Sequence, residues 1–189
     1  MTEQMLTMTQ PKQCKPIRLR VLSCAKWMGG LLTIAAAGLS QAAEPSGVKR
    51  YKIPGSDFPI ALAVEVPASA TVVYHSGFTP APADASAEQY SRAYWGDTET
   101  QALSTLGRLE KSLKSLGLGM KDVVKMQVFL VGDPELGGRL DFAGFMRAYT
   151  RYFGTDEQPN LPARSAMQVA GLARPGMWVE IEVMLVRPE

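Results

Sequence analysis

Glu180 and Glu182 share one face of a predicted strand, Met177 to Val186, interleaved with Trp178, Met184 and Val186. The opposite face, Val179, Ile181, Val183 and Leu185, is an unbroken apolar stripe that belongs in a core. Carboxylates among apolar side chains make neither a clean solvent surface nor a clean core. They suit a face covered by another subunit, with polar work done in between.

Other chemistries find less support. His75 is the single histidine and stands beside Ser76. Its ring titrates nearest neutrality, but strand alternation points it away from Tyr74 and Ser76, so no role as a base is assigned. No nucleophile-elbow sequence surrounds any serine. Gly117-Leu118-Gly119 stops a helix and is followed by no Lys-Ser/Thr helix, so it is not a phosphate loop. Both cysteines, Cys14 and Cys24, precede the predicted mature chain, and one histidine remains. That leaves no disulfide, no thiol chemistry and no zinc ligand set.

Residues 1–43 carry net +4 and the remainder net −2, which together make the overall +2 of the 189-residue chain. A body of net −2 without a basic cluster is a poor nucleic-acid binder. The basic stretch leads into Trp27–Leu39, thirteen uncharged, mostly apolar residues. That is shorter than the roughly 20 residues needed to span a bilayer. It fits the apolar region of a secretory signal, cleaved after Ser40-Gln41-Ala42 or Gln41-Ala42-Ala43. The expectation is export to the periplasm with no stable membrane span once the signal is removed; an uncleaved signal anchor is the alternative.

Residues 44–189 read as a single domain, 46% hydrophobic residues in the whole chain being enough for one core. Strands are predicted over Ile60–Val66 and Thr71–Ser76, and a long loop over Thr79–Gly96. Asp97 or Thr98 caps a helix whose apolar positions are Ala102, Leu103, Leu106, Leu109, Leu113 and Leu116. Asp122–Val131 alternates as a strand. Leu136–Phe153 reads as a second helix, and Ser165–Ala170 precedes the last strand. The order β-β-α-β-α-β-β describes an α+β fold, a mixed β-sheet with two helices packed on one face.

The segment Leu161-Pro162-Ala163-Arg164-Ser165-Ala166, then Val169-Ala170, then Val179-Glu180-Ile181-Glu182, resembles the C-terminal signature of the YjgF/RidA family. Asp122-Val123-Val124-Lys125, Val128-Phe129-Leu130, Asp141-Phe142-Ala143 and Tyr149 through Phe153 fall in the family's order and spacing. Ser76-Gly77 matches its early Ser-Gly. The resemblance covers residues 58–187. It implies a homotrimer with its sites in clefts between subunits, an architecture also seen in trimeric chorismate mutases, which the Pro-Ala-Arg-Ser segment matches less well.

The resemblance further implies hydrolysis of reactive 2-imino acids, or their enamine tautomers, to 2-oxo acids and ammonia, with no cofactor and no metal. Arg164 occupies the family's arginine position, where a guanidinium holds a carboxylate by two parallel charge-assisted hydrogen bonds. Glu180 matches its catalytic glutamate, with Glu182 a rival one pleat away. Ser76 and Gly77 would offer backbone donors to the substrate. Ile60, Ala166 and Met146 stand where active members commonly carry tyrosine, cysteine and asparagine, which predicts a more apolar pocket. The alternative is a non-catalytic trimer holding a small carboxylate or a partner protein in the periplasm.

Overall fold

The computed structural model describes residues 47–188. The predicted signal, residues 1–43 with Cys14 and Cys24, lies outside the described residues. Six strands form one sheet: β1 (Lys49–Lys52), β2 (Ala61–Glu65), β3 (Val72–Phe78), β4 (Val123–Val131), β5 (Ala163–Val169) and β6 (Val179–Val186). Their order across the sheet is β1-β2-β5-β4-β6-β3. β5 runs parallel to both β2 and β4, and the remaining pairs are antiparallel. Three helices connect them: α1 (Arg92–Trp95), α2 (Thr98–Ser115) and α3 (Phe142–Tyr149). The mixed sheet with α2 and α3 on one face is the predicted α+β layer.

The core lies between that face and the helices. Leu106, Leu109 and Leu113 of α2 and Phe145 and Tyr149 of α3 meet Met126, Val128 and Leu130 of β4 and Val179, Ile181, Val183 and Leu185 of β6. Each such side chain removed from water contributes about 1.5–3 kcal/mol. These residues are every second one on the strands and every third or fourth on the helices, so the two periodicities assemble one apolar layer.

α2 begins where an aspartate can accept from the helix's free N–H groups. Asp97 Oδ1 accepts from the Thr100 N–H at 2.8 Å. It ends at Gly117, whose φ of 70° suits a residue without a Cβ. Among the described residues the opposite face of the sheet carries no helix. There Lys125, Gln127 and Phe129 of β4 and Glu180, Glu182 and Met184 of β6 are half-buried, Met167 of β5 is exposed, and Tyr74 of β3 is 75% exposed. Trp178, expected on that face, is instead buried, with the Arg92 guanidinium 5.0 Å from its ring centroid.

Three elements differ from expectation. The second helix is shorter than Leu136–Phe153: Gly137 and Gly138 hold φ of 67° and 75°, which no helix tolerates, and Asp141 caps α3 by accepting from the Gly144 N–H. The predicted long loop contains α1, and Trp95 within it is buried and donates to the Pro175 carbonyl at 2.9 Å. The edge strand β1 has no alternating pattern and forms by pairing with β2. Arg50 fastens it, donating to the carbonyls of Val123, Leu161 and Lys121. No helix among the described residues is long and apolar enough to cross a membrane.

Candidate functional site

Arg164 stands on β5 opposite Met126 of β4, so its side chain enters the helix-side layer. It is half-buried there in a bed of rings. Its guanidinium carbon lies 4.3 Å from the Tyr149 ring centroid, 5.1 Å from Phe145, 5.6 Å from Phe58 and 5.7 Å from Phe142. Nη1 donates to the Met146 thioether at 3.2 Å. Among the described residues no carboxylate pairs with it.

The bed follows from the sequence of α3. Phe142, Phe145 and Tyr149 recur at helical spacing and so share one face. Phe145 and Tyr149 also close the core. Tyr149 donates its hydroxyl to the Pro59 carbonyl at 2.9 Å, and burial pushes its phenol well above the ordinary value. Burial also pulls the Arg164 guanidinium below its ordinary value, with only Tyr149 opposing. The rings' negative faces replace part of the lost hydration. A cation kept this way has N–H donors that a carboxylate could accept from.

Glu180 stands elsewhere. It pairs with Phe129 of β4, three residues beyond Met126, and so projects from the open face. Glu182 pairs with Gln127 on that same face. β3 bulges against β6 between His75 and Phe78, and the bulge carries Ser76 and Gly77. A Cβ on Gly77 would meet the Glu180 carboxylate inside contact distance, so only glycine leaves Glu180 its place. Glu180 makes no ion pair among the described residues.

The predicted site residues thus fall into two groups within one protomer. Arg164, Met146 and Ala166 belong to the helix-side layer, Ala166 packing against the core. Ser76, Gly77 and Glu180 belong to the open face. A concavity of about 230 Å³ on that face is lined by Ser76, Glu182, Lys125, Gln127, Tyr74 and Met184, among others. Ile60 lines a separate concavity with Tyr51, Lys52 and Leu161. The ring that reaches Arg164 comes from Phe58, two positions earlier, a residue that sequence reasoning did not single out.

His75 turns to the helix side, as alternation predicts. Its Nδ1 donates to the Ser76 carbonyl at 2.8 Å, and its Nε2 meets the Ser112 hydroxyl at 2.9 Å. Tyr94 packs edge-on against both Tyr90 and Trp95. Among the described residues no three histidine, cysteine or acidic side chains converge as a metal site would require.

A family model described as endoribonuclease L-PSP matches residues 56–186. A RutC family protein of Haemophilus influenzae is 35% identical over 91 residues, 48% of this chain and 65% of that relative. The Escherichia coli K12 protein named "Putative reactive intermediate deaminase TdcF" is 33% identical over 91 residues, 48% of this chain and 64% of its own. The matched stretch spans just under two thirds of either relative. A Yersinia pestis protein of unknown function, of the conserved Rid family, superposes with a TM-score of 0.56 at 20% identity, over 74% of this chain and 98% of that one. That likeness concerns the fold.

Proposed function

The chain belongs to the YjgF/RidA family, and on that premise we propose that it hydrolyses reactive 2-imino acids to 2-oxo acids and ammonia. The observation that carries this reading is the half-buried Arg164 guanidinium, bedded on four rings without a carboxylate partner among the described residues.

Two parallel hydrogen bonds from Arg164 would fix the substrate carboxylate and present the neighbouring C=N carbon for attack. Water oxygen adds to that carbon, the C–N bond breaks, and both water protons leave on nitrogen as ammonia. Glu180 would position the water and relay a proton. Because Arg164 and Glu180 project from opposite faces of one sheet, the reading requires Glu180 from a neighbouring copy. A cyclic homotrimer in which the open face of one copy meets the Arg164 side of the next would meet that requirement, and the exposed Tyr74 and Met167 beside the half-buried Phe129 and Met184 support a covered open face. No cofactor enters the chemistry. The N-terminal segment would direct the protein to the periplasm. The family description names a ribonuclease, but residues 44–189 carry net −2, which does not favour a polyanion.

The test generates 2-imino acids in situ with an amino-acid oxidase and traps them with semicarbazide. Added protein should lower the trapped yield. Arg164→Ala should lose about 10²- to 10⁴-fold in rate, the worth of two hydrogen bonds to a charged group at about 1.5–3 kcal/mol each, and Glu180→Gln should lose about 10²- to 10⁴-fold as a proton-relaying group. Saturable binding of 2-oxo acids without turnover would replace the deaminase by a carboxylate-binding trimer.

A further inference from the structure

Phe58 and Phe142 flank the solvent side of Arg164. Their rings stack at 6.4 Å between centroids and 19° between planes, and they remain 39% and 38% exposed. Their partners deeper in the row, Phe145 and Tyr149, are fully buried. The row therefore runs from the core to the surface and ends in two phenylalanines beside a cation that has no carboxylate partner among the described residues. Apolar rings left to water next to a charge they do not neutralise are the features of a binding site for an amphipathic anion.

The polar groups around these rings are already engaged. The Tyr149 hydroxyl donates to the Pro59 carbonyl, and the Met146 thioether accepts from Arg164. Tyr149 is also fully buried, and a thioether has no proton to give, so neither presents a donor to a ligand hydroxyl or amide. A ligand carboxylate on the open edge of Arg164 places the carbon beside it, and the side chain that carbon bears, along Phe58 and Phe142. An aromatic or bulky apolar side chain would bury both rings. A methyl would leave them wet, and a hydroxymethyl would lose its own hydrogen bonds.

Resting on the deaminase reading of this same site, we infer that the protein selects 2-imino acids, and their 2-oxo products, bearing an aromatic or bulky apolar side chain. Phe58 and Phe142 form the side-chain subsite. The chemistry remains addition of water at the imine carbon and departure of ammonia; the rings decide which imine is held for it.

The experiment compares kcat/KM for imines generated from phenylalanine, leucine, alanine and serine. The phenylalanine- and leucine-derived imines should exceed the other two by about 10- to 100-fold. Phe58→Ala and Phe142→Ala should each shrink that ratio by about tenfold, and Phe142→Leu should retain part of it. Melting temperatures of the variants establish that each is folded. Arg164-dependent turnover that is equal across side chains, or greatest for alanine, overturns the subsite and leaves the deaminase standing. If no imine is turned over, the deaminase falls, and calorimetric titration with phenylpyruvate and pyruvate decides the subsite. Phenylpyruvate binding about tenfold tighter, with that margin lost in Phe142→Ala, sustains it; equal binding, or none, overturns it.

Discussion

Arg164 and Glu180 face away from each other across one sheet, because their partners on β4, Met126 and Phe129, stand three residues apart. Under the proposed mechanism, a protomer on its own would offer a carboxylate anchor on one side and a water-positioning group on the other. If the site forms between copies, the two halves can come from different chains. Mixing unfolded Arg164→Ala and Glu180→Gln chains in equal amounts and refolding them should restore activity. In a random trimer about a quarter of the clefts then combine an intact Arg164 with an intact Glu180. Activity measured before and after mixing checks this, and no recovery in a refolded mixed assembly would show that Arg164 and Glu180 do not share a cleft.

Gly77 is the second lever on Glu180. An alanine there must displace the carboxylate, since its Cβ would meet Oε1 and stand 3.1 Å from Cδ. Gly77→Ala should lower imine hydrolysis by about a hundredfold, the cost of misplacing a reacting group by an ångström. Its melting temperature should stay within a few degrees of the parent, because a flexible side-chain end moves rather than backbone. Steady-state kinetics beside a thermal melt separates the two effects.

Acid should loosen α2 at its first turn. The backbone N–H of Thr100 holds the Asp97 carboxyl below the ordinary aspartate range, with desolvation opposing. The folded pKa therefore lies below the unfolded one. The stabilisation is complete above the unfolded value, about pH 4, and is lost as pH falls through the folded value. Asp97→Ala should cost about 1 kcal/mol at pH 7, and the difference from the parent should narrow below pH 4. Urea unfolding at pH 7 and pH 3 checks both statements.

Glu99 on α2 reaches two arginines, accepting from Arg147 at 2.6 Å and from Arg151 at 3.3 Å. Arg147 belongs to α3 and Arg151 follows it, so the carboxylate fastens the helix that carries the ring bed to its neighbour. Both arginines are well exposed. Glu99→Gln should therefore cost only about 0.5–1 kcal/mol, and less in high salt. Urea titrations at low and high ionic strength measure the difference.

Periodicity made β4, β6 and α2 legible. On α2 Ala102, Leu106, Leu109 and Leu113 are buried as assigned, while Leu103 is only partly buried and Leu116, past the last turn, is 45% exposed; Asp97, one of two candidate caps, is the cap that forms. β1 was not legible: Lys49-Arg50-Tyr51-Lys52 has no pattern of its own and becomes a strand through β2 and the anchoring of Arg50. The late start of α3 follows from left-handed Gly137 and Gly138, which the apolar count over Leu136–Phe153 overrode. Arg164 and Glu180 were each visible as residues, but their separation depends on strand register, which no local pattern encodes. Phe58 escaped because its ring acts two positions from the one compared, on a loop whose path is set by Pro59 and Tyr149.

Phe145 and Tyr149 do two jobs with the same atoms: they close the core and they bed the Arg164 guanidinium. Stability and recognition are therefore not separate traits that mutation can adjust one at a time. A leucine at Phe145 that keeps much of the core volume would yield a folded chain whose Arg164 guanidinium has lost one of its rings, and a screen for folded protein would pass it. Drift that is neutral for the core is not neutral for the site, and redesign aimed at a sturdier interior has to treat this part of α3 as closed to change.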